Sequence, residues 1–293
     1  MNRATVGVAL ATFGGIVFGI SATLGGWLTA EIDPLAVGAS RVALAGLCLA
    51  PLAVVHRTAI ARAPGTIVVI GVLQVAINAL LFLAIDRVGV GPAMGILFLA
   101  PVYVVAWDRV CGGGRPPPRP GAGGGTARVG VGLLVQAWEV VSLDPLGLGA
   151  AFVGGLGLAT YLRLAEDTGA RIGALALASG SLAVGGLIGL AVARPWTFVG
   201  SLEPVTLWGL VALGTVAMAL PITTEMVSLT MVPARVVGVI ITLEPVAAAA
   251  TAWWFLDEAL AAVQIAGLVL IMSAVAAVTW TTSQTQTHDP VPV

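Results

Sequence analysis

Apolar runs of about 20 residues, the length that crosses a hydrocarbon layer, recur along the whole chain and leave little that can face water. Of its 293 residues 58% are hydrophobic and 9% charged, against roughly a quarter charged in soluble chains. The chain therefore reads as an integral membrane protein. Its net charge of −1 carries little information, because in a membrane the sign of each loop matters more than the total. All 13 basic side chains are arginine. Cys48 and Cys111 form no spacing pattern for a disulfide framework or a metal site. The first run, Thr5–Leu28, is too long for a signal-peptide core and lacks a small-residue cleavage site, so it is expected to be a retained helix.

Ten spans are predicted, near 5–28, 35–55, 65–85, 88–107, 128–143, 146–165, 172–193, 204–228, 233–255 and 259–281. The fifth is short and holds Glu139; omitting it gives nine spans and reverses the second half. Before it lies CGGGRPPPRPGAGGG (111–125), a Gly/Pro/Arg segment read as a flexible linker. With ten spans and both termini in the cytoplasm, Arg3, Arg57, Arg62, Arg109, Arg115, Arg119, Arg128, Arg163, Arg171 and Arg235 lie inside. Only Arg41, Arg87 and Arg194 lie outside, the expected inside excess of positive charge.

A displacement of 144 residues lays LFLAPVYVVAW (97–107) on ITLEPVAAAAT (241–251) and so superposes Pro101 on Pro245. The same step lays Val88-Gly89 on Val232-Pro233. Five spans per half is odd, so the two halves must be inverted relative to each other, an architecture in which interrupted helices mark the solute site. The expected fold is all-α and polytopic, with ten transmembrane helices as two inverted five-helix repeats. Residues 1–143 form the first, 144–282 the second, and 283–293 a disordered cytoplasmic tail.

Glu244, beside Pro245, is placed about eleven residues into the ninth span, or roughly 16 Å at a rise of 1.5 Å per residue, near the midplane. A carboxylate there is paired, protonated or lining a wet cavity. Pro245 has no amide hydrogen and is expected to free the carbonyl of Ile241. Glu244 then either binds a substrate ammonium or a proton, or hydrogen-bonds a neighbouring helix. Glu225 follows Pro221 in the eighth span and is expected roughly 10 Å nearer the cytoplasm, as a second station on the path or as an interfacial group. Gln74 and Asn78 share a face of the third span, as binding groups or as interhelical hydrogen bonds. Arg41 either neutralises a carboxylate or snorkels to the outer interface. Tyr103 and Tyr161 either hydrogen-bond the solute or pack, and Trp253, Trp254 and Trp280 fit interfacial belts. Pro101, Pro221 and Pro245 are the expected helix breaks. Strings such as Gly154-Gly155 and Gly185-Gly186 lie within apolar runs and signal close helix packing, not a nucleotide loop.

The stretch ALPITTEMVSLTMVPARVVGVIITLEPVAAAATAWWFLDEALAAVQIAGLVLIM (219–272) resembles the EamA-type branch of the drug/metabolite transporter superfamily, most closely inner-membrane threonine/homoserine exporters. The resemblance rests on Leu220, Pro221, Glu225, Met226, Leu229, Thr230, Pro233, Arg235, Gly238, Leu243, Glu244, Pro245, Glu258, Leu260 and Gln264. In the first half it rests on Arg41, Asn78 and the proline of FLAP (98–101). It implies ten helices in two inverted fives and efflux of small amphiphilic solutes.

The reading is a secondary transporter of the inner membrane that exports small amino acids or related metabolites by alternating access. A drug or lipophilic-cation exporter is the competing transport reading, and a membrane enzyme or scaffold the one outside transport. No metal or cofactor is expected, while proton coupling is compatible with a glutamate at the midplane. The expected partners are a small solute and the lipid bilayer, with no nucleic acid, and glycine strings set no oligomeric state.

Overall fold

The structure, a computed structural model, describes residues 2–98, 144–232 and 240–257, with 129–130, 132–133, 236–237, 261–263, 265–270 and 272–273. Among these residues it is all helix. The elements are α1 (Arg3–Leu28), α2 (Pro34–Val55), a short α3 (Arg57–Ile60), α4 (Pro64–Val88) and α5 (Val90–Leu97). There follow α6 (Pro145–Ile172), α7 (Ala174–Ala193), α8 (Pro204–Gly214), α9 (Leu220–Leu229) and α10 (Leu243–Phe255). A π turn, Thr215–Ala219, joins α8 to α9. Among the described residues six helices are long and apolar enough to cross a membrane: α1, α2, α4, α6, Ala174–Thr197 and the combined Pro204–Leu229. The protein is a multi-pass membrane protein. The fourth, fifth, ninth and tenth expected spans lie partly outside the described residues.

Local chemistry fixes where these helices begin. Proline stands in the first turn of α2, α4, α6 and α8, where its missing amide hydrogen costs no helical bond. Asp33 caps α2 by accepting from Ala36 N at 3.1 Å. Asp144 caps α6 by accepting from Leu146 N at 2.8 Å and Gly147 N at 3.0 Å. The Gly147 bond is the main reason its carboxyl titrates below the usual range. Gly89 (φ 82°) and Gly173 (φ 90°) turn the chain between α4 and α5 and between α6 and α7, in a region that only glycine enters freely. Two boundaries shift from the sequence expectation. The helix begun at 65 continues to Val88 because Gly89 is the first residue able to stop it, and α6 continues to Ile172, where Gly173 stops it.

Lipid is as apolar as leucine, so helices in a membrane associate through close packing of small residues. On α7, Gly185 lies against the Gly71 carbonyl of α4, Gly186 against Gly46 of α2, and Gly189 against the Ala39 carbonyl of α2. On α6, Gly154 meets Leu97 and Gly157 meets Ile77. The glycine strings thus work as packing surfaces. On α1, Gly19 lies against Ala247 and the Glu244 carbonyl of α10, and a turn later the Thr23 and Thr251 hydroxyls bond at 2.7 Å. Large apolar side chains such as Leu47, Leu187, Trp208 and Trp254 point outward instead, as lipid requires.

Charged and polar links gather at the helix ends. At one end Arg87 pairs with Asp86 and Asp144, each at 3.6 Å, and Thr206 donates to Glu31 at 2.8 Å. At the other, Arg3 donates to the Thr230 carbonyl at 3.3 Å.

A Cβ at Gly19 would stand 2.5 Å from both Ala247 Cβ and the Glu244 carbonyl. Gly19→Val is expected to destabilise by about 1–3 kcal/mol, the usual cost of overpacking. Gly65→Ala, with open space around it, is the control that leaves stability near wild type. Thermal unfolding of the purified protein in detergent measures both.

Candidate functional site

One cavity among the described helices, about 410 Å³, runs between α2, α7 and α8, and its lining is apolar apart from Ser40. Another, about 290 Å³, collects the polar side chains singled out in the sequence: Arg41, Gln74, Asn78, Tyr161, Glu225 and Glu244. Gln74 and Asn78 fall near the middle of the 25-residue α4, so this cavity sits at mid-membrane height. Elsewhere on α1 the Phe82 ring packs on Gly25, and Ile85, Val90 and Leu256 lie against Gly26.

Arg41 organises one wall. It is 3% exposed, which removes snorkelling to the interface as its role. Its Nη1 donates to Asn78 Oδ1 at 2.9 Å, and its Nη2 donates to Ser21 Oγ at 2.7 Å and to the Ala217 carbonyl at 3.0 Å. The guanidinium carbon lies 5.2 Å from the Phe18 ring centroid and 5.7 Å from that of Phe82, within cation–π range. The Ala217 carbonyl is available for a local reason. It stands four residues before Pro221, which has no amide hydrogen to give it, and it lies in the π turn. Pro221 thus leaves an acceptor that Arg41 uses. Asn78 is held in turn by its own Nδ2, which donates to the Gln74 carbonyl at 2.8 Å.

The carboxyl groups line the same cavity. Glu225 packs on Gly14 of α1 and Glu244 on the adjacent Gly15. The expected 10 Å separation along the path is therefore wrong. Consecutive α1 glycines receive both side chains, so the two glutamates stand at one level in one cavity. Glu244 lies within electrostatic reach of Glu225 and of Arg41. Among the described residues Arg41 forms no ion pair with either.

The helix break also differs in detail. Glu244 is not deep within a continuous ninth helix but in the first turn of α10, after a turn at Ile241-Thr242. The Ile241 carbonyl is not left free by Pro245, because the Glu244 amide donates to it at 2.9 Å. Pro245 starts a helix here rather than kinking one. Subtracting 144 from 241 and 242 gives 97 and 98, and α5 ends at Leu97 with Phe98 in a turn. Pro101 and Tyr103 lie outside the described residues.

Among the described residues, three buried side-chain atoms of residues that line this cavity have no hydrogen-bond partner: Arg41 Nε, Gln74 Oε1 and Glu225 Oε1. Buried polar groups are normally paired, so one donor and two acceptors without partners set this lining apart. The sequence reading missed Ser21, Phe18 and Phe82, which hold Arg41, and Gly14 and Gly15, which admit the glutamates. The only advance signal was the small-residue row Gly15, Gly19, Thr23 at helical spacing on α1.

Comparison with known proteins gives a consistent set. The model of the EamA-like transporter family matches residues 5–136 and 145–280, one stretch in each half. The threonine/homoserine exporter RhtA of Salmonella typhimurium (strain LT2) is 28% identical over 202 residues, 67% of this chain and 65% of its own length. RhtA of Escherichia coli (strain K12) is 28% identical over 209 residues, 70% of this chain and 67% of its own. The chain thus spans just under two thirds of the Salmonella relative. A solved crystal structure matches with a TM-score of 0.64 at 18% identity, over 94% of this chain and 98% of its own, a likeness of fold.

If the Ala217 carbonyl and Asn78 depend on Arg41, Arg41→Leu should lower the thermal midpoint, leaving two buried acceptors unpaired at about 1–3 kcal/mol each. Pro221→Ala restores an amide donor for Ala217. The double variant Arg41→Leu/Pro221→Ala is therefore expected to recover part of the loss, with a coupling of about 0.5–1.5 kcal/mol. A double-mutant cycle on thermal midpoints measures it; strict additivity would contradict the arrangement.

Proposed function

Because this chain belongs to the EamA-like transporter family, we propose that it is a secondary transporter exporting small zwitterionic amino acids, threonine- or homoserine-like, or related metabolites. The observation that carries this is the set of open polar atoms in the central cavity. Arg41 Nε is a cationic donor suited to a carboxylate, and Glu225 Oε1 a carboxyl acceptor suited to an ammonium. Glu244 adds a second carboxyl group within electrostatic reach of it. A cavity lined by a guanidinium and two carboxyl groups suits a zwitterion. A lipophilic cation finds the glutamates favourable but Arg41 repulsive, and so fits this wall less well. A membrane enzyme would need a nucleophile with its base, and among the described residues of the lining no serine or cysteine is accompanied by a histidine.

In this reading the chain is two inverted five-helix halves, 1–143 and 144–282, that rock about the cavity. Support comes from the 144-residue displacement, from the two stretches of the family match, and from the turn at Phe98, which the same step lays on the turn at Thr242. With both termini cytoplasmic in the inner membrane, the solute enters from inside. A pair of carboxylates in one cavity also suits exchange of a proton for the substrate ammonium.

Counterflow of labelled threonine in proteoliposomes tests the proposal. Wild type should exchange threonine, while Glu244→Gln and Glu225→Gln should each fall about tenfold or more, which corresponds to 1.4 kcal/mol or more of lost substrate interaction. Unchanged exchange and unchanged pH dependence in both variants would remove the carboxylates from the mechanism.

A further inference from the structure

We infer that Gln74 reads the side-chain hydroxyl of the transported amino acid and so separates threonine-like solutes from isosteres that lack it. The inference rests on the cavity being an amino-acid site. Gln74 is 5% exposed, lines the cavity and leaves Oε1 without a partner. Its place in the wall is rigid, because its backbone carbonyl accepts from Asn78 Nδ2 one turn along α4 and Asn78 is tied to Arg41. Tyr161 on α6 lies against its amide from across the cavity. The same lining also carries the apolar side chains Ile77, Leu158 and Leu162.

The division of work follows from charge. The ammonium belongs with Glu225 and Glu244, and the carboxylate with Arg41. Gln74 is neutral and has no ionic end of the solute to meet, yet it holds an open acceptor that burial makes costly to leave unpaired. A substrate hydroxyl donates to it. A methyl group of the same size fills the same space and leaves Oε1 dry and unpaired. Sites built to hydrogen-bond a hydroxyl reject such isosteres much more strongly than apolar pockets separate substrates by size.

The experiment is competitive counterflow in proteoliposomes with threonine against valine, and homoserine against norvaline. Wild type is expected to favour each hydroxyl-bearing member about tenfold or more, the scale of one neutral hydrogen bond left unmade. Gln74→Leu should bring both ratios close to one while valine exchange persists, which also shows that the variant is folded. Where Gln74→Leu moves neither solute, the equally long Gln74→Met is scored by the same ratios. Equal exchange of threonine and valine by wild type, or a wild-type ratio retained in the variant, overturns the inference and leaves amino-acid export standing. Wild-type protein that exchanges no amino acid at all overturns both.

Discussion

The structure turns on one buried cation. Arg41 sits at mid-cavity, and a guanidinium there is tolerable only if its donors are satisfied from several directions. Ser21 of α1, Asn78 of α4 and the Ala217 carbonyl of the π turn supply three bonds, with two phenylalanine rings stacked on its faces. The cation therefore ties α2 to both α4 and the helix pair α8–α9. A proline one turn past Ala217 completes the arrangement by withholding the amide that would otherwise use that carbonyl. Among the described residues the remaining donor of Arg41, its Nε, has no hydrogen-bond partner.

Glycine sets the scale of everything else. Gly14 and Gly15 bring the two glutamates to one level, and Gly19 lets α10 approach α1 closely enough to hold Glu244 there. Gly71, Gly185, Gly186 and Gly189 bring α4 and α2 against α7. In a bilayer this proximity replaces the hydrophobic drive that would assemble a soluble bundle. The cavity is what the close-packed helices leave open between them.

Much of this was legible in the sequence. Six of the ten expected spans are among the described helices, and they followed from the length of the apolar runs. Arg41, Gln74, Asn78, Glu225 and Glu244 stood out as polar residues in apolar surroundings. Their mutual placement was not legible. The partners of Arg41 lie 20, 37 and 176 residues away in sequence, and seven residues into α2 an arginine can reach water as easily as a neighbouring helix. Counting helix rise put Glu225 and Glu244 on separate levels because rise ignores how helices tilt and where a neighbour is narrow. The proline rule freed the Ile241 carbonyl on paper, but it holds for a continuous helix, and the chain breaks at Ile241-Thr242. The π turn that exposes Ala217 has no marker in residue type.

The central claim is that this cavity recognises both ends of a zwitterion. The most direct measurement is thermal stabilisation of the purified protein by threonine, N-acetylthreonine and threonine amide, which keep both charges, only the carboxylate and only the ammonium. The account predicts stabilisation by threonine and little or none by either derivative. Equal stabilisation by threonine amide would mean that the site reads a cation alone and would contradict the role of Arg41.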